Sequence, residues 1–183
     1  MSAKYYFSYR QIHKTVKSLA EAITADGYDP DVIVAIGTGG FIPARILKTF
    51  IDRPILTVGI RYYDENNRPT DRPRKIQWID EVEKKLAGRK ILLVDEVDDT
   101  RTTLEYCLNE LLSHRPAETA VAVMHKKNKR KRGTIPRAVS RYYVGREVED
   151  VWVVYPWDAD DIDTHCAMAE RSETVAAAPS IGS

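Results

Sequence analysis

The stretch ILLVDEVDDTRTT, residues 91–103, sets four carboxylates, Asp95, Glu96, Asp98 and Asp99, between an apolar run and the hydroxyls of Thr100, Thr102 and Thr103. A helix beginning near Thr102 would direct its unbonded N–H groups outward, which makes the loop before it a cradle for an anion. One or two acids there would serve as helix caps or favour the helix dipole. Four of them call for a ligand that also brings hydroxyls and a divalent cation. A sugar carrying both a phosphate and a pyrophosphate, with Mg²⁺, brings both. A second stretch, GTGG at 37–40, follows another apolar run and, taken without the acidic stretch, reads first as a plain strand-to-helix turn. A third, HKKNKRKR at 125–132, opens a basic segment at the end of an apolar run.

These residues need elements to hold them. VIVAI (32–36), ILTVGI (55–60), KILLV (90–94) and AVAVM (120–124) are short, nearly all-apolar, β-branched runs, as strands covered on both faces require. FIPARILKTFI after the first run and TTLEYCLNELLSH after the third carry helical patterns, so strand and helix alternate. That alternation predicts an α/β fold with a parallel twisted sheet flanked by helices. Ligands in such folds sit at the carboxyl ends of strands, which brings the acidic segment and the glycine turn to one edge of the sheet. Upstream, Ile12, Val16, Leu19, Ala20 and Ile23 recur at helical spacing, with Ser8 and Gln11 as a capping box and Asp26-Gly27 as the stop. Two stretches, 61–77 and 126–138, read as long irregular loops and as lid or recognition candidates. The segment from Thr174 on is small, weakly apolar and expected to fray.

Composition narrows the classes further. A chain of 183 residues, 43% hydrophobic, supports one domain with a substantial core. Lys and Arg (28) nearly balance Asp and Glu (27), so whole-chain charge argues neither for a nucleic-acid binder nor for an acidic tail protein. Cys107 and Cys166 lack the number and spacing of a disulfide framework or a metal site. With neither an apolar run of membrane length nor a signal-peptide core, the expectation is a soluble cytoplasmic protein without membrane partners.

The 91–103 stretch resembles the thirteen-residue 5-phosphoribosyl-1-pyrophosphate (PRPP) signature of type I phosphoribosyltransferases. SYRQIHK, AIGTGGFIPARILKTF, QWID, DEVDDTRTTL and VWVVYPWDADDI are similar, in the same order, to the fungal-type hypoxanthine-guanine and xanthine phosphoribosyltransferases. The resemblance spans roughly residues 5–165. It implies a single phosphoribosyltransferase domain over 1–168, with a small hood over the purine site formed by the N-terminal segment and the part around 140–168. Residues 169–183 are left as a flexible tail.

Position by position, the resemblance gives Asp95 and Glu96 the ribose hydroxyls and the metal. It gives Asp99 the proton at the purine's imidazole edge, and Asp98, Asp99, Thr100, Arg101, Thr102 and Thr103 the 5′-phosphate. Thr38, Gly39 and Gly40 match the pyrophosphate loop, where relatives can carry a non-proline cis peptide. Lys126 falls where the family presents a lysine to O6 of the base, Trp152 where an aromatic stacks on it, Val153 where a backbone group meets the edge around C2, and Asp158 where an acid can help hold a second metal ion. Tyr62 and Tyr63 match a lid that excludes water. An ammonium has only donors, so a lysine at O6 selects 6-oxopurines over adenine. Arg101 departs from the glycine that many members carry, and a guanidinium there could add a phosphate contact.

The implied activity is purine salvage: a 6-oxopurine (hypoxanthine, guanine or xanthine) and PRPP give the nucleoside 5′-monophosphate and pyrophosphate, with Mg²⁺ as cofactor in a homodimer or homotetramer. The remaining lysines and arginines of 127–132 read as a solvated loop that raises local potential. The competing reading makes them the nucleic-acid surface of a PRPP-sensing regulator on the same fold. His125, with no acid or nucleophile as neighbour in sequence, reads as structural.

Overall fold

A computed structural model describes residues 3–63 and 69–177. Helix α1 (Tyr9–Ala25) starts at the expected box: the Ser8 hydroxyl accepts from the Gln11 amide at 3.2 Å while the Gln11 side chain accepts from the Ser8 amide at 2.8 Å. Its five periodic apolar residues are all buried. The four apolar runs are strands β2 (Val32–Gly37), β3 (Ile55–Tyr63), β5 (Lys90–Asp98) and β6 (Glu118–Lys127). With β4 (Pro69–Gln77) and β7 (Arg141–Val148) they form a six-stranded sheet in the order β4-β3-β2-β5-β6-β7, parallel except for β4 against β3.

Successive side chains of a strand point to opposite faces, and the buried strands sort accordingly. Ile33, Ala35, Leu92, Val94, Ala120 and Ala122 pack under α1 and α2 (Phe41–Leu47). Val34, Ile36, Ile91, Leu93, Val121 and Val123 pack under α3 (Val82–Leu86) and α4 (Thr102–Ser113). The chain leaves β2 towards β3 on one side and returns through β5 to β6 and β7 on the other. The order therefore reverses between β2 and β5, and their carboxyl ends open a crevice there.

The structure corrects three boundaries. Most of 61–77 is strand, the end of β3 and the antiparallel edge β4; residues 64–68 and the side chains of Tyr62 and Tyr63 lie outside the described residues, and the expected lid with them. Residues 141–148 belong to the main sheet, so the small second sheet is only β1 (Lys4–Tyr6) paired in parallel with β8 (Trp152–Val154). The 169–183 tail begins later than expected, because α5 (Ile162–Ala177) continues to Ala177, buries Ala169 and accepts the Tyr6 amide on the Ser172 hydroxyl at 3.2 Å. Residues 178–183 lie outside the described residues. Among the described residues no helix is long and apolar enough to cross a membrane.

Candidate functional site

The crevice between β2 and β5 holds a cavity of about 240 Å³, lined by Ile36, Gly37, Ile60 and the continuous stretch from Asp95 to Leu104. Strand β5 delivers Asp95 and Glu96 to its floor. The Asp95 carboxyl is buried, and that burial, followed by the adjacent Glu96 carboxylate, holds it well above the usual carboxylate range. Two neighbouring carboxylates, one of them buried, make a seat suited to a hard cation. Among the described residues no group of three His, Cys, Asp or Glu side chains is placed to hold a metal ion; Asp158, expected at a second ion, follows β8. A cation here would take two protein carboxylates and find its remaining oxygens on the ligand, as Mg²⁺ commonly does.

The glycine turn closes over the pair. A Cβ on Gly39 would run into the Glu96 carboxylate, so glycine lets the turn pack against that side chain as it stands. The Gly37–Thr38 peptide bond is cis. Thr38 is exposed beside it.

Beyond β5, Arg101 adopts the left-handed conformation, φ +69°, at the place where the wider family carries glycine. The guanidinium grips the buried Asp98 carboxylate, Nη2 at 2.7 Å and Nε at 3.0 Å, and lies over the Tyr142 ring at 5.5 Å; the Tyr142 hydroxyl donates to the same Asp98 oxygen at 2.6 Å. The Asp98 and Arg101 side chains thus bond each other and hold the left-handed turn between β5 and α4, and both residues line the cavity. Helix α4 has no side-chain cap, and among the described residues the amides of Thr100, Arg101, Thr102 and Thr103 have no acceptor. These four donors and the Thr100 and Thr102 hydroxyls, 3.1 Å apart, form the anion cradle.

Asp99 projects towards the end of β6, where alternation decides which of two adjacent lysines meets it. Lys126 turns away and pairs with Glu147 on β7 at 2.7 Å. Lys127, only 9% exposed, brings its ammonium 3.4 Å from Asp99 and 6.0 Å from the centre of the Trp152 ring. Of the two lysines, it is Lys127 and not Lys126 that the structure brings beside Asp99 and Trp152. Lys129 bridges Asp99 at 3.0 Å and Asp150 at 2.8 Å. Trp152 is 62% exposed, so its ring face is free to receive a planar ligand and is not core. Val153 pairs with Tyr5 between β8 and β1.

His125 has a role that its sequence neighbours could not reveal. Fully buried, it stacks on Phe7 with centroids 4.0 Å apart and bonds the Tyr155 hydroxyl through Nδ1 at 2.8 Å. That hydroxyl donates onward to the Glu96 carbonyl at 3.2 Å. Its single proton being spent there, His125 must donate from Nδ1 and keep a bare Nε2, which is buried without a partner. Burial, then the nearby Arg146, depresses the imidazole to about 3.

Residues 4–160 match the profile of the phosphoribosyl transferase domain family. A hypoxanthine-guanine phosphoribosyltransferase of Schizosaccharomyces pombe is 39% identical, with 87% of this chain and 91% of the relative covered. A xanthine phosphoribosyltransferase of Saccharomyces cerevisiae is 38% identical over 90% and 94%. Among solved structures, a hypothetical protein of Neisseria gonorrhoeae with bound ppGpp superposes with a TM-score of 0.87 at 47% identity, over 93% of this chain and 98% of that one.

Proposed function

We propose how this chain, which belongs to the phosphoribosyl transferase family and is a purine phosphoribosyltransferase of salvage, a glycosyltransferase, uses its crevice. PRPP lies along the carboxyl ends of β2 and β5. Its 5′-phosphate takes the free amides and hydroxyls of Thr100–Thr103, its ribose hydroxyls take Asp95 and Glu96, and its pyrophosphate takes the Thr38-Gly39-Gly40 turn. Asp95 and Glu96 would hold Mg²⁺, the cofactor that paired carboxylates fit, and it would supply charge neutralisation for the pyrophosphate leaving group. The observation that carries this reading is the acid pair beside four unbonded amides at the start of α4, in a chain whose curated relatives match it almost end to end.

The base stacks on Trp152 and presents O6 to Lys127 and its imidazole edge to Asp99. N9 attacks C1′, the C1′–O bond to pyrophosphate breaks, and Asp99 holds the proton released at the imidazole edge as the new bond forms. Buried Lys127 has only donors, which favours hypoxanthine, guanine or xanthine over adenine. Initial rates with PRPP, Mg²⁺ and each of the four purines test this: nucleoside monophosphate and pyrophosphate form with at least one 6-oxopurine and not with adenine. Faster turnover of adenine would overturn the base assignment, and no product from any purine would overturn the reaction.

A second ligand belongs to the same crevice. The Neisseria relative carries ppGpp, a guanine nucleotide with two pyrophosphates, and a cavity built for a base, a ribose and two phosphate groups accommodates such a molecule. In this reading ppGpp competes with PRPP. Inhibition that saturating PRPP does not relieve would place ppGpp elsewhere.

A further inference from the structure

The basic run KKNKRKRG reads as a solvated loop, yet its side chains have different fates. Arg130 and Arg132 are exposed, while the Lys131 side chain is turned in and only 12% exposed. Its ammonium donates to the carbonyls of Asp98 at 2.6 Å, Asp99 at 2.9 Å and Lys127 at 2.8 Å. An ammonium has three donors, and here three backbone acceptors take them all. The Arg132 and Gly133 amides both donate to the Thr100 carbonyl, at 3.0 and 3.1 Å. Gly133 sits so close that a Cβ there would lie 2.6 Å from the Arg101 carbonyl oxygen.

The carbonyls of Asp98, Asp99 and Thr100 are thus all taken from behind, by one side chain and two amides of a single short segment. A carbonyl points opposite to the N–H of the same peptide plane, so holding these three turns the Thr100 and Arg101 amides to the other side, where the chain lines the cavity and continues into the free amides of α4. A concave row of N–H groups binds an anion only while its peptide planes keep that orientation.

We infer that residues 127–133 form a brace for the phosphate-binding turn, and that Lys131 is its internal cation: a positioning residue that fixes the cradle and Asp99 in one body with the Lys127 end of β6. This rests on the assignment of the cradle to PRPP. Desolvation by burial lowers the Lys131 ammonium from its ordinary range, as a cation held away from water requires.

Lys131→Met keeps the length and apolar stem while removing all three donors, and leaves the carbonyls of both the turn and β6 unanswered. The expected result is a KM for PRPP raised ten-fold or more and a raised KM for hypoxanthine, with kcat lowered. Arg130→Gln, equal in charge removed but exposed, should stay within two-fold of the parent. A merely structural loss would lower the active fraction and leave both KM values in place. Gly133→Ala, which pushes the segment off the Arg101 carbonyl and the Glu105 carboxylate without removing a charge, should reproduce the PRPP defect and serves if the methionine variant does not fold. Isothermal titration of Mg²⁺-PRPP into each protein separates the possibilities. Parent protein that binds PRPP while Lys131→Met or Gly133→Ala binds it equally well overturns the brace alone, as does an equal loss in Arg130→Gln. Parent protein that binds no PRPP overturns the site assignment and the brace together.

Discussion

In the proposed site, the part that takes phosphate and the part that takes the base are made in different ways. The phosphate side is one uninterrupted piece of chain, Asp95–Thr103, passing from strand to turn to helix, and covalent order alone brings its parts together. The base side gathers Asp99, Lys127 and Trp152 from the turn after β5, the end of β6 and the small sheet of β1 and β8. A contiguous device is robust to small errors of register. An assembled one depends on it, because a one-residue slip in a strand exchanges the faces on which its side chains stand.

The largest expected effect lies where the two sides share a residue. Asp99→Asn keeps the volume and removes the negative charge and basicity at the imidazole edge of the base. Turnover should fall about 100-fold or more, in the range ascribed to a positioned proton acceptor, while PRPP affinity holds within a few-fold. Steady-state kinetics paired with titration of PRPP reads both quantities, and unchanged turnover would remove Asp99 from the mechanism.

Next comes the lysine pair, which tests the dependence on register directly. Lys127→Ala should raise the KM for hypoxanthine about 10- to 100-fold, since a buried oxygen left without its donor costs about 1–3 kcal/mol. Lys126→Ala removes a half-exposed pair with Glu147 and should change KM less than two-fold, because such pairs contribute about 0–1 kcal/mol and this one faces away from Asp99. The reverse ranking would return the base to Lys126 and break the contrast drawn here.

That ranking also marks how far the sequence could be read. The four buried strands announced themselves because both faces are covered, leaving continuous apolar runs, and α1 did so because its cap and its 3.6-residue spacing agree. Strand β7 stayed hidden: it is a sheet edge, half exposed, so Arg141, Arg146 and Glu147 interrupt any apolar pattern. The acid pair, the turn and the Thr hydroxyls were legible as one motif. Nothing local distinguishes Lys126 from Lys127, two identical side chains in succession, and only the register of β6 against β5 and β7 decides between them. Lys131 was hidden for a similar reason. A lysine that satisfies three carbonyls is written with the same letters as a solvated one, and the close approach that demands Gly133 exists only in three dimensions. Arg101 in a left-handed turn is intelligible once Asp98 and Tyr142 are seen to hold it.

Trp152 offers a smaller effect that sharpens the same contrast. Stacking of a base on an aromatic ring contributes about 1–3 kcal/mol, so Trp152→Ala should raise the KM for every accepted purine about ten-fold, whereas Trp152→Phe should recover most of it. The exposure of the ring predicts little change in melting temperature. A large loss of stability in Trp152→Ala would assign the ring to packing and detach it from the base.

The smallest effect concerns the joint between the two sides, His125, which stacks on Phe7 of the N-terminal segment and reaches the Glu96 carbonyl through the Tyr155 hydroxyl. Its imidazole is depressed to about 3 in the folded chain, chiefly by burial, and the free side chain titrates near 6.5. The unfolded chain therefore binds a proton below 6.5 that the folded chain refuses until about 3. Folded stability contributed by neutral His125 is fully present above 6.5, declines as pH falls through the window between those values, and declines no further below it. A single proton taken up on unfolding gives a slope of about 1.4 kcal/mol per pH unit. Other groups titrate in the same range, so the informative quantity is the difference between the parent and His125→Gln, which keeps a donor for Tyr155 but does not titrate there. Urea unfolding at pH 7, 6 and 5 should show the parent losing stability more steeply than the variant, by up to that slope. Parallel lines would mean that His125 takes its proton in the folded state, and that the Tyr155 hydroxyl is free to turn away from Glu96.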